Sequence, residues 1–203
     1  MVAGGFRLLG LAFVFALLCC RASYASDAHS DAASLQKRIV AIFEEKRSAV
    51  VRVKAAYSED SVAAKKRVTL RVGTGFFFSK DGHIAVSASR ALGASRVWIE
   101  YEGRTYAAEA IGHDALTNIS ILKLLELPDS FSILSIDPGT KLPEVGSFIV
   151  AVSCPLDFDP TPIVGTVSGY DKKLGNKVFP TEYIRSSIGV DGGQGGCPFI
   201  ASI

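Results

Sequence analysis

The sequence predicts an all-β protein of two antiparallel barrels behind one short N-terminal helix. Three observations carry this expectation. From Ala49 onward the chain runs in short β-rich segments bounded by Gly, Pro, Asp or Asn. Apolar residues recur at helical spacing once, ahead of those segments. A stretch rich in Pro, Ser and Asp, Leu127 to Leu142, divides the β segments into two consecutive series. Each series must bury one face of its strands, and closing a sheet on itself does so while removing its edges. At 203 residues the chain is long enough for one well-buried domain and too short for two large ones.

The chain begins with a short basic head (Arg7), then an apolar run from Leu8 to Cys20 broken only by Gly10, then the small residues Ser23 and Ala25. This pattern predicts a cleaved export signal over residues 1–25 rather than a membrane anchor, because a span needs about 20 apolar residues. Lipidation is not expected, since Leu18 rather than a small residue precedes Cys19. Cleavage after Ala25 removes Arg7 and Arg21 and no acid, so the 22 basic and 20 acidic side chains of the whole chain come into balance. Such a protein has no electrostatic footprint for nucleic acid and no stable membrane span. It is expected to be periplasmic or secreted, and Cys154 and Cys197 are its only remaining thiols, in a compartment that permits a disulfide.

Residues 26–48 form a polar leader followed by an amphipathic helix. Leu35, Ile39, Ile42 and Phe43 share one face, and Glu44-Glu45-Lys46-Arg47 closes the stretch. Charges of mixed sign favour a helix covering the first sheet over one lying on a membrane. The first barrel, residues 49–126, takes strands at Val50–Ala56, Val68–Phe78, Ile84–Ser89, Val97–Tyr101, Thr105–Ile111 and Ile119–Leu124, with no second helix. Residues 127–142 are the linker. In 143–203, strands are expected at Ser147–Val152, Ile163–Ser168, Tyr183–Ser187 and Pro198–Ser202.

Several segments occur in an informative order. They are Gly73-Thr74-Gly75-Phe76 running to Asp81-Gly82-His83-Ile84, Gly112-His113-Asp114 running to Asn118-Ile119-Ser120-Ile121-Leu122-Lys123, Ala151-Val152-Ser153-Cys154-Pro155, Gly165-Thr166-Val167-Ser168-Gly169, and Asp191-Gly192-Gly193-Gln194-Gly195-Gly196-Cys197-Pro198. As an ordered set, over about residues 49 to 203, they resemble the trypsin-like serine proteases of the HtrA (Deg) type. The resemblance implies two six-stranded barrels with a cleft between them. It also implies that the fold continues for two or so strands past Pro198, so that a chain ending at Ile203 leaves the second barrel incomplete. The open edge would then need cover from a partner, a second copy or the leader helix.

That family's chemistry needs a serine nucleophile, a histidine base and an aspartate that fixes the imidazole. The matching positions here are Gly195, Ser89 and Asn118. Glycine cannot form an acyl-enzyme and serine is no base near neutral pH, so no catalytic residue is expected. The backbone of Gly193, Gln194 and Gly195 remains able to present N–H groups to a carbonyl or carboxylate. A relocated triad is not expected either: His29 lies in the leader, and His83 and His113 sit in turns beside Asp81 and Asp114. The histidines lack zinc spacing, and the glycine-rich segment precedes a strand and lacks a Lys-Ser/Thr pair, so neither a metal nor a cofactor is expected. In the resembling fold Cys154 and Cys197 lie on antiparallel strands, which implies a disulfide between them, with two separate buried thiols as the alternative. The leading reading is an exported protease homologue that binds peptide or protein without hydrolysis. The alternatives are a divergent HtrA-type endopeptidase and a truncated gene product without selected activity.

Overall fold

The computed structural model describes residues 31–59, 67–137, 142–174, 177–189 and 192–201. The expected signal over residues 1–25 and His29 lie outside the described residues. The chain divides into two units, Met1–Val40 and Ala41–Ile203. In the first, residues 31–40 are helical, and the same helix, α1, runs on to residue 46 before a 3-10 turn at Arg47–Ala49. Among the described residues no helix is long and apolar enough to cross a membrane.

The second unit opens with a closed barrel of six strands: β1 (Val50–Glu59), β2 (Arg67–Phe77), β3 (His83–Ser87), β4 (Arg96–Tyr101), β5 (Arg104–Asp114) and β6 (Ile119–Leu124). Their order around the barrel is β1-β2-β3-β6-β5-β4, every pair antiparallel, and β1 closes it by pairing with β4 from Arg52↔Glu100 to Ala56↔Arg96. The two-residue period of a strand explains the filling. Val51, Val53 and Ala55 of β1, Val97, Ile99 and Tyr101 of β4, and Leu122 and Leu124 of β6 point inward, while Arg52, Lys54 and Glu100 alternate outward. Phe77 is fully buried at the centre with its ring edge-on to Tyr101 at 5.6 Å, and burying such a side chain contributes about 1.5–3 kcal/mol.

All ten expected strands are present, with boundary shifts. One short helix was not expected: α2, Ala88–Ala91, which carries Ser89 out of the strand assigned to it. His83 and His113 lie in β3 and β5 rather than in turns. The segment read as a linker packs on the barrel. Phe131 stacks on Phe77 at 4.4 Å between ring centroids, and the Leu134 N–H donates to Phe77 O at 2.8 Å.

The remaining strands are β7 (Phe148–Ser153), β8 (Thr161–Leu174), β9 (Lys177–Ser186) and β10 (Phe199–Ala201). Instead of the second barrel that the resemblance implies, the described strands form an open four-stranded sheet in the order β10-β7-β8-β9. Val152 and Cys154 at the end of β7 meet Val50 of the first barrel in a buried cluster joined by Phe43, Phe76 and Ile200. The last turn of α1 therefore docks, through Phe43, on the seam between barrel and sheet.

The implied disulfide does not form, and both cysteines are free. β10 pairs with β7 as Phe199↔Ala151 and Ile200↔Val150, and Cys197 precedes it in a turn, where its N–H donates to Gln194 O (3.2 Å).

Candidate functional site

Of the three positions that the resemblance matches to the triad, Asn118 bonds to the Ser89 N–H and Gly195 packs against Arg90, the next residue along α2. Asp114 prepares one of them. Its carboxylate accepts hydrogen bonds from the Leu116 N–H (2.9 Å) and the Thr117 hydroxyl (2.7 Å), and these bonds, the hydroxyl first, hold it below the usual carboxylate range. The turn so fixed delivers Asn118 with φ +59°, a left-handed conformation that asparagine tolerates.

Asn118 then docks on α2. Its backbone carbonyl accepts from the Ala88 N–H (2.9 Å), its Oδ1 accepts from the Ser89 N–H (2.8 Å), and its Nδ2 donates to Ser87 Oγ (2.9 Å). Ser87 Oγ and Ser89 Oγ are 2.9 Å apart. The carbonyls of this single helical turn find side-chain partners: Tyr57 Oη donates to Arg90 O (2.8 Å) and Arg71 Nη1 to Ser89 O (3.1 Å). Arg71 also lies 4.2 Å above the Tyr57 ring centroid.

Thr74 holds the third position. It is fully buried, and three hydrogen bonds radiate from it to the second sheet's loops. Its N–H donates to Gly195 O (3.0 Å), its hydroxyl donates to Gly193 O (2.9 Å), and the same oxygen accepts from the Cys154 N–H (2.9 Å). The loop must approach so closely that glycine is required. A Cβ on Gly196, which has φ +96°, would stand 2.3 Å from Thr74 O, and one on Gly193, with φ +85°, 2.3 Å from Leu156 N.

Over Gly195 lies Arg90, which the sequence did not mark. A Cβ on Gly195 would stand 3.3 Å from Arg90 Nε and 3.5 Å from its Nη2. The space beside Gly195 is thus occupied by a guanidinium. Arg90 Nε is buried and has no hydrogen-bond partner, and no acid among the described residues pairs with Arg90 or Arg71.

No other described group assembles a nucleophile and base. Ser79 Oγ is 3.0 Å from His83 Nδ1 and 3.5 Å from Asp81 Oδ2, so the acid touches the serine instead of orienting the imidazole. The serine also accepts the Asp81 N–H within its turn (3.0 Å). Burial pushes the Cys154 thiol up to about 12 and raises that of Cys197, so neither is a thiolate near neutral pH. Among the described residues no three His, Cys, Asp or Glu side chains are grouped to hold a metal.

A second polar site lies farther along the seam. A cavity of 530 Å³ is lined by Arg52, Glu100, Tyr101, Arg104, Cys154 and Asp159, among others. Glu100 accepts from Arg52 Nη1 (2.9 Å) and Lys54 Nζ (2.7 Å), Lys54 also reaches Asp157 (3.2 Å), and Arg52 Nη2 donates to Phe158 O. Burial pushes the Glu100 carboxyl up, but the bonds and charges of Lys54 and Arg52 together outweigh it and leave the group below its ordinary value. The bond to Glu100 raises Lys54. Arg52, Lys54, Glu100 and Asp157 each meet an opposite charge, while Arg52 Nε is buried without a hydrogen-bond partner.

The profile of a family described as "Trypsin-like peptidase domain" matches residues 73–202. The chain is 28% identical over 127 residues to a probable periplasmic serine endoprotease DegP-like of Hahella chejuensis, covering 62% of this chain and 26% of that one. It is 28% identical over 143 residues to serine protease HTRA1A of Danio rerio (68% and 29%) and 31% identical over 128 residues to the DegP-like protein of Bartonella henselae (62% and 25%). The chain thus spans a quarter to three-tenths of the length of these relatives. With the match covering most of the chain, this protein belongs to the trypsin-like peptidase domain family and is related to serine proteases of the DegP and HtrA type.

Proposed function

We propose that this chain is an exported, non-hydrolytic member of its family that binds peptide or protein in the cleft where its relatives carry out catalysis. One observation carries the reading: at the nucleophile position there is no side chain but a backbone glycine faced by the Arg90 guanidinium. An acyl-enzyme needs an oxygen or sulfur nucleophile with a base in hydrogen-bond reach. Gly195 supplies neither, and Ser89 and Asn118 offer only a hydroxyl and a neutral amide. The backbone N–H groups of Gly193, Gln194 and Gly195 are, in this reading, what meets a peptide carbonyl. Export is supported by the expected signal over residues 1–25 and by the word "periplasmic" in the names of several relatives.

A fluorophosphonate probe and a casein-hydrolysis assay test this on the purified chain, with trypsin as the positive control. The expected outcome is no covalent labelling and no release of casein peptides. Stoichiometric labelling of any serine in this chain would establish the divergent endopeptidase instead.

A further inference from the structure

Arg90 is held in place without an acid to hold it. Its stem lies flat because two glycines leave room: a Cβ on Gly73 would stand 2.9 Å from Arg90 Cγ, and one on Gly195 3.3 Å from Nε. The head is thereby aimed at the 193–196 loop. The carbonyls of Gly193 and Gly195 are engaged by Thr74, and Nε, though buried, donates to neither. Arg71, the other cation beside Ser89, is already spent on the Ser89 carbonyl and the Tyr57 ring. The 193–196 loop is therefore faced by one planar guanidinium whose charge no described acid answers.

A guanidinium of this kind pairs best with a planar monoanion that can take two parallel hydrogen bonds. We infer that the cleft at Gly195 binds the carboxylate of a peptide, with Arg90 as its anchor. The inference rests on the non-hydrolytic reading above and names the group that the cleft selects. A peptide's C-terminus reaching Gly195 would set its carboxylate against Arg90. An aspartate or glutamate side chain presents the same group.

Fluorescence anisotropy tests this with hexapeptides labelled at the N-terminus with an uncharged dye and randomised over their last two positions among neutral residues. One pool carries free C-termini, one is amidated, and one is amidated with glutamate as the last residue. On the unmodified chain the free-carboxylate pool is expected to bind about tenfold more tightly than the neutral amidated pool. The third pool assigns the source: binding like the free pool marks a side-chain carboxylate, and binding like the neutral amide marks the C-terminus. Arg90→Met, which keeps a stem over Gly73, should abolish the difference between pools, and Arg90→Lys should retain part of it. Equal binding of all three pools to the unmodified chain, or binding of none, overturns the inference without any variant having to fold. Truncated peptides in mass spectra of the same samples would overturn the non-hydrolytic reading instead.

Discussion

Two arginines of the first barrel reach the loops of the second sheet, and they are treated differently. Arg52 leaves β1 for the 155–160 loop, where it meets Glu100 and the Phe158 carbonyl, with Lys54 and Asp157 completing the cluster. Arg90 leaves α2 for the 193–196 loop and meets glycines. The first arrangement is how a partly buried charge supports a fold, because Arg52 meets the carboxylate that offsets its lost hydration. Both guanidinia bury an Nε without an acceptor, which costs free energy, but only Arg52 has an acid among the described residues to set against that cost. The contrast is between a charge that is paired within the fold and one that no described acid answers. It can be tested by weakening the seam at three depths.

The largest effect is expected at Thr74, the shared pivot of the seam. Thr74→Val keeps the shape but strands the Gly193 carbonyl and the Cys154 N–H, both of which Thr74 Oγ1 now serves. A loss of about 2–4 kcal/mol should follow, read as a lower urea midpoint. Thr74→Ser, which retains the hydroxyl, should lose about 1 kcal/mol or less. If the valine variant is as stable as the serine variant, the seam is held by the apolar cluster around Val50 and Val152 rather than by hydrogen bonds.

An intermediate effect, with a pH signature, is expected at Glu100. Its carboxyl is held below its ordinary value when folded. Its stabilisation is therefore fully present above the unfolded value of about 4.3 and is lost as pH falls through the lower folded value. Glu100→Gln should cost about 1–2 kcal/mol at pH 7, less than a fully buried pair would, because the cluster is partly hydrated. The gap between variant and parent should close on titration toward pH 3. Lys54 has the opposite sign: its raised value means that its contribution holds below the ordinary lysine range and fades only above it. A gap that stays constant from pH 7 to pH 3 would assign the role of Glu100 to packing instead of charge.

How much of this was legible in the sequence depends on the range of the forces involved. β4 and β6 alternate strictly between buried and partly exposed residues, and both strands lie where their periodicity placed them to within one residue. The ordered motifs led to Asn118 and Ser89 as neighbours, and the two are joined by a 2.8 Å hydrogen bond. Helix α2 was not legible, because one turn is too short for a period to show. The segment around Phe131 was misjudged on its Pro, Ser and Asp content, although alternating Phe131 and Ile133 carried the apolar signal that puts it on the barrel. The disulfide was implied by the resemblance alone, and both cysteines are free. Thr74 and Arg90 depend on a loop more than a hundred positions away, so nothing beside them in the sequence announces what they touch.

The smallest effect on stability is expected at Arg90, and there its sign matters more than its size. Arg90→Met removes a buried donor that has no acceptor while a thioether replaces the stem over Gly73 and Gly195. Its stability should match or exceed that of the parent by up to about 1 kcal/mol, whereas Arg52→Met, which leaves Glu100 with Lys54 alone, should fall below the parent by about 1–2 kcal/mol. Urea midpoints at pH 7, compared at constant m-value, give both signs in one experiment. If Arg90→Met loses as much as Arg52→Met, the Arg90 guanidinium is a strut of the seam after all. If it gains, the fold has been carrying that charge at its own expense, as the carboxylate-binding proposal requires.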